Sequence, residues 1–103
     1  MIDLILLQER ISGRNKLEQI RSKIDTIDQQ LLLLLAQRHR LIGKVSGIKK
    51  EQKLGIEDVR RENDLVQNWS EMAEALGLPK KYGGQILETV LRFSKQHQKD
   101  SAE

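Results

Sequence analysis

The stretch Leu17–Ile48, LEQIRSKIDTIDQQLLLLLAQRHRLIGKVSGI, keeps one heptad register from end to end. Leu17, Ile24, Leu31, Arg38 and Val45 hold one seam position, and Ile20, Ile27, Leu34, Leu41 and Ile48 hold the other. Nine aliphatic side chains and one arginine on these ten positions predict a long helix packed against partner helices. A buried guanidinium is costly unless an anion meets it. The seam therefore contains either a carboxylate partner for Arg38, with Asp28 and Glu62 as candidates, or an anionic ligand.

Outward from this stretch, the spacing predicts a first helix from about Lys16, or earlier, to about Lys53, with Gly55 ending the pattern. A second helix starts near Asp58, a capping residue, and runs through Leu65, Trp69, Met72 and Leu76 to a stop at Gly77. Pro79 marks the start of a third, which carries Tyr82, Ile86, Val90, Leu91 and Phe93 to about Gln98. Residues 1–15 form an N-terminal extension, residues 16–98 one helical domain, and residues 99–103 a polar tail expected to fray. Gly83 and Gly84, early in the third helix, are expected to loosen that end.

Helix length sets the expected assembly. A helix of roughly 35 residues is about 50 Å long, whereas a compact domain of about 100 residues has a radius of gyration near 13 Å. The second and third helices are too short to cover the first. The uncovered seam is expected to be buried by a second copy, giving an intertwined all-α homodimer of three helices per chain.

Composition narrows the chemistry. With 103 residues there is room for one domain, and with no cysteine there is no disulfide, thiol nucleophile or thiolate metal site. Charged residues make up 32% of the chain but the net charge is only +3, so acids and bases are interleaved and a nucleic-acid binder is disfavoured. The apolar start, Met1–Leu7, carries Asp3 and lacks a basic leader region, so it is not taken as a signal peptide. No apolar run is long enough for a membrane span, and a cytoplasmic location is expected. His39 and His97 have no ligand spacing, no HExxH motif occurs, and metal chemistry is not expected. Neither a glycine-rich phosphate loop nor a nucleophile with an adjacent base is found.

The polar residues of the first helix form a pattern. Arg38 and Lys49 are eleven residues apart, three turns, and share a face with about 16 Å of axial separation, room for one small molecule between two long side chains. Arg21 lies seventeen residues before Arg38 and can reach such a pocket only from an antiparallel partner chain. By position alone, Arg21 and Lys49 would be solvated interhelical charges. Asp58 and Glu62 suit a helix N-terminus for capping and dipole reasons. Ser94 and Gln98, one turn apart, extend the Leu87–Leu91 face, either at a core edge or on a pocket floor. Gly43 and Gly47, inside the first helix, either admit a close neighbour or are tolerated weak points.

Taken together, these residues resemble the all-helical chorismate mutases. The likeness rests on LxxIRxxIDxIDxxLLxLLAxR over Leu17–Arg38, then Lys49, then the D-x-x-R-E of Asp58, Arg61 and Glu62, then Ser94 and Gln98. It spans about Lys16 to Gln98, without gaps. The resemblance implies the Claisen rearrangement of chorismate to prephenate, on the way to phenylalanine and tyrosine, with no cofactor. It implies that Arg38 and the partner chain's Arg21 clamp the two substrate carboxylates. Lys49 and Gln98 would donate to the ether oxygen, and Glu62, with the backbone around Asp58, would hold the ring hydroxyl. Arg61 and Ser94 would complete the carboxylate environment. A neutral glutamine at 98 donates without needing a proton, so little acid dependence is expected from that position.

Two other functions fit parts of the pattern. An isochorismate–pyruvate lyase shares the implied fold and cationic clamp, although Asp58, Arg61, Glu62 and Ser94 resemble the mutase set better. A non-catalytic helical dimerisation module would need none of these cations.

Overall fold

The computed structural model describes residues 4–102, apart from the side chains of positions 6, 9, 11 and 102. Among the described residues there are three helices and no strand: α1 (Leu4–Glu51), α2 (Val59–Ala75) and α3 (Lys80–Ala102). The chain divides into two compact units, residues 1–37 and residues 38–103. The first consists of the N-terminal part of α1. The second contains the last turns of α1 together with α2 and α3, which pack on one another.

Helix α1 begins twelve residues before the predicted Lys16, at Leu4, so most of the N-terminal extension is helical. Met1–Asp3, the rest of that extension, lie outside the described residues, as does Glu103 of the tail. The far end of α1 also differs from expectation. The helix stops at Glu51, and Lys53, not Gly55, adopts the left-handed conformation with φ 56°. Lys53 N–H bonds to the Lys50 carbonyl at 3.2 Å and Leu54 N–H to the Lys49 carbonyl at 2.7 Å, the paired bonds of a Schellman ending. Glycine is the usual residue at that place, because an L side chain there costs about 1–2 kcal/mol. Lys53→Gly should therefore stabilise the fold by up to about 1 kcal/mol once the extra freedom of glycine in the unfolded chain is counted. Chemical denaturation at fixed protein concentration checks this, and an unchanged or lower midpoint would show that Lys53 is not strained.

Helix α2 starts at its predicted cap. Asp58 is extended (φ −130°, ψ 90°), and its Oδ1 accepts from Arg61 N–H at 3.0 Å. Glu62, in the first turn, complements the helix dipole. The same Schellman bonds close α2, from Gly77 N–H to the Glu74 carbonyl and from Leu78 N–H to the Ala73 carbonyl, with Gly77 at φ 78°. Pro79 lends its carbonyl to Tyr82 N–H at 3.0 Å and opens α3.

Gly83 does not loosen α3. A Cβ placed there would stand 2.9 Å from the Ala73 Cβ and 3.4 Å from the Trp69 carbonyl, so its missing side chain lets α2 and α3 approach closely. Gly84 has open space around it. Helix α3 then runs past the expected end at Gln98 as far as Ala102.

The core of a single chain is small. Ala73 and Leu87 are its only buried apolar side chains among the described residues. All nine aliphatic residues of the heptad seam are between 39% and 59% exposed.

Candidate active site

The second unit gathers seven of the eight sequence-predicted site residues. Arg38 and Lys49 come from α1, Asp58, Arg61 and Glu62 from the start of α2, and Ser94 and Gln98 from α3. Arg21 belongs to the first unit, is exposed, and is not part of this group.

The Arg38 Nη1 donates to Ser94 Oγ. That hydroxyl donates its own hydrogen bond to the Val90 carbonyl one turn back, at 2.9 Å, so its lone pairs face the guanidinium. Ser94 and Gln98 are buried, so the stripe that begins at Leu87 and Leu91 stays inside the packed unit at its polar end. Neither Asp28 nor Glu62 pairs with Arg38, which makes no ion pair among the described residues. Burial, and secondarily the nearby Arg61 charge, hold the Arg38 guanidinium below its ordinary basic range. Two guanidiniums that repel one another without an acid between them favour an incoming anion, because a carboxylate relieves both the repulsion and the lost hydration.

Lys49 is half-buried, and its ammonium bridges two elements. Nζ donates to the Ile56 carbonyl at 2.7 Å and to Gln98 Oε1 at 3.1 Å. An ammonium has three protons, so one donor remains. Gln98 is buried as a residue and uses its carbonyl oxygen on Lys49, and its NH2 group has no partner among the described residues. Among the described residues no fully buried polar side-chain atom lacks a partner, so that NH2 is not completely shut off from solvent. A charged donor and a neutral donor are therefore held next to each other, each with hydrogens to spare.

Helix α1 is held against α3 beside these donors by contacts the sequence did not single out. Ser46 Oγ donates to the Gln98 backbone carbonyl at 3.3 Å, in buried surroundings. His39 and His97 stack with ring centroids 3.6 Å apart and planes 20° from parallel. Gly43 makes room for that pair, since a Cβ there would come within 3.2 Å of His97 Nε2. Gly47 has no such neighbour. The two histidines thus pack on one another, and no group of three or more potential metal ligands occurs among the described residues.

Glu62 is held by Lys95, with Oε1 at 2.7 Å from Nζ, while Glu57 sits 3.7 Å from the same ammonium. Lys95 was invisible in the sequence pattern. It follows Ser94 directly on a polar stretch of helix, and only the packing of α2 on α3 shows what it faces.

The family model for chorismate mutase type II matches residues 20–99. The chain belongs to that family. Among its curated relatives is the chorismate mutase of Methanocaldococcus jannaschii, 31% identical over 85% of this chain and 89% of that protein. The T-protein of Enterobacter agglomerans is 34% identical over 82% of this chain, and the bifunctional chorismate mutase/prephenate dehydratase of Escherichia coli strain K12 is 29% identical over 82%. This chain spans 23% and 22% of those two longer proteins, so for them the likeness is to one part. Membership in the chorismate mutase type II family fits the all-helical fold and covers every site residue named above. No helix among the described residues is long and apolar enough to cross a membrane.

Proposed function

We infer that this chain is a chorismate mutase, an isomerase of aromatic amino acid biosynthesis that rearranges chorismate to prephenate. The observation that carries the reading is the Lys49–Gln98 pair, two donors held together, Lys49 with one N–H and Gln98 with its NH2 group to spare, beside the uncompensated Arg38 and Arg61. The reaction breaks an ether C–O bond as a C–C bond forms within one molecule, so it needs no nucleophile and no proton transfer. The enzyme must hold a flexible dianion in its folded, reactive conformer. It must also stabilise the negative charge that grows on the ether oxygen. Arg38, oriented by Ser94, suits one carboxylate, since a planar guanidinium matches it with two parallel hydrogen bonds. Arg61 adds positive potential to the same region. Lys49 and Gln98 converge on the ether oxygen, and the free oxygen of Glu62 suits the ring hydroxyl near the capped start of α2.

The second carboxylate is assigned to Arg21 of a partner chain in an intertwined homodimer. The exposed seam supports that assembly. Nine aliphatic side chains half in water along one helix, against two buried in the chain's own core, leave a single copy with too little apolar burial to fold stably.

The test is to give purified protein chorismate, follow the loss of its ultraviolet absorbance and identify the product, with Arg38→Ala alongside. Prephenate from the wild type and little from the variant is the expected result. No turnover of chorismate would overturn the reading, and pyruvate released from isochorismate would replace it with lyase chemistry.

A further inference from the structure

Lys95 and Glu62 form the closest ion pair among the described residues, and its two side chains are only 32% and 27% exposed. By contrast Glu57, the other acid near Lys95, is 72% exposed and stands 3.7 Å away. The pair joins α3 to the first turn of α2, next to Ser94 on one side and Arg61 on the other. It is also asymmetric. The ammonium makes its close contact with Oε1 of Glu62, and among the described residues Oε2 has no hydrogen bond to another group and is not a fully buried unpartnered atom. A carboxylate with one oxygen held samples fewer orientations, which narrows the directions open to its second oxygen. An unpinned glutamate has three rotatable bonds and loses their freedom on binding.

We propose that Lys95 is a positioning residue, which holds one oxygen of Glu62 so that the other accepts the ring hydroxyl of the substrate. This rests on the assignment of Glu62 to that hydroxyl. Lys95 itself touches no substrate atom. Its ammonium is held above its ordinary range mainly by the hydrogen bond to Glu62, as expected of a cation committed to one acid. A pair that merely tied α2 to α3 would affect stability alone. A positioning pair affects how well the site tells a hydroxyl from its absence.

That difference is measurable with two bicyclic ether dicarboxylates that mimic the transition state, one with the ring hydroxyl and one without. The wild-type protein should bind the hydroxylated form more tightly, and Glu62→Gln should lose most of that preference. Lys95→Met should lower kcat/KM for chorismate by about tenfold, the scale of one hydrogen bond to a charged group, and reduce the hydroxyl preference in step. Lys95→Arg should restore most of both, and Glu57→Gln should leave both within about twofold, because an exposed acid contributes little. Where methionine unfolds the chain, Lys95→Gln tests the same point. If Lys95→Met keeps the full hydroxyl preference while Glu62→Gln loses it, the positioning role is wrong and the assignment of Glu62 stands. If Glu62→Gln also keeps the preference, both fall together.

Discussion

Lys49→Met lowers kcat by about 100-fold or more, by comparison with the roughly 2.7–4 kcal/mol that one oxyanion donor supplies and 1.36 kcal/mol per decade of rate. Two effects combine in that loss. The variant removes the positive charge nearest the position assigned to the ether oxygen, where negative charge develops only as the C–O bond breaks. It also removes the donor that holds Gln98 Oε1 at 3.1 Å, so the Gln98 amide is free to turn its NH2 away. Because the charge matters most in the transition state, the loss should fall on kcat more than on KM. Gln98→Leu should be milder alone, and the double variant should be less than the product of the two, since one residue orients the other. Methionine keeps the aliphatic stem of a half-buried lysine, so the melting temperature should change little. Near-normal turnover in a folded Lys49→Met protein would place the reacting centre elsewhere.

The long helix and most of the grouping of candidate residues were legible in the sequence because both depend on spacing. A seven-residue repeat survives any detail of packing, and Arg38 and Lys49 share a face because eleven residues make three turns. The Asp58 cap was legible because it is a local bond, Asp58 to Arg61. What the sequence withheld depended on contacts between helices. Gly83 looked like a weakness and is a point of close approach to Ala73. His39 and His97, 58 positions apart, gave no sign of stacking. Lys95 had no pattern to betray its hold on Glu62. The end of α1 misled for a different reason. Gly55 carries the usual stop signal, but the left-handed turn falls two residues earlier on Lys53, a residue that rarely accepts it. The start of α1 carried only a weak signal, since its first turn has no acidic residue and the seam register, carried back from Leu17 and Ile20, meets Gly13 and Arg10 before it reaches Leu6.

Arg21→Ala and Arg38→Ala proteins, each nearly inactive, should recover activity when mixed and allowed to exchange subunits. If each pocket takes Arg38 from one chain and Arg21 from the other, a mixed dimer has one pocket with both arginines and one with neither. Random exchange of equal amounts makes about half the dimers mixed, so about a quarter of all pockets are intact and activity should approach a quarter of wild type. The argument needs both arginines to be severe losses, which follows from their chemistry. Each is assigned a substrate carboxylate, and removing one leaves that anion to be bound without a matched donor pair, at a cost of about 2–5 kcal/mol. Arg38 already makes its hydrogen bond to Ser94 inside one chain, so its half of the clamp is built without a partner. Arg21 has an exposed place on α1 and no ion pair among the described residues, which leaves its guanidinium open to a substrate carboxylate. Subunit exchange has to be proven independently, by mass tags on the two variants. With exchange shown and no activity regained, Arg21 would not share a pocket with the other chain's Arg38. If Arg21→Ala alone kept full activity, the second carboxylate would have to be held within one chain, with Arg61 the remaining cation placed to do it.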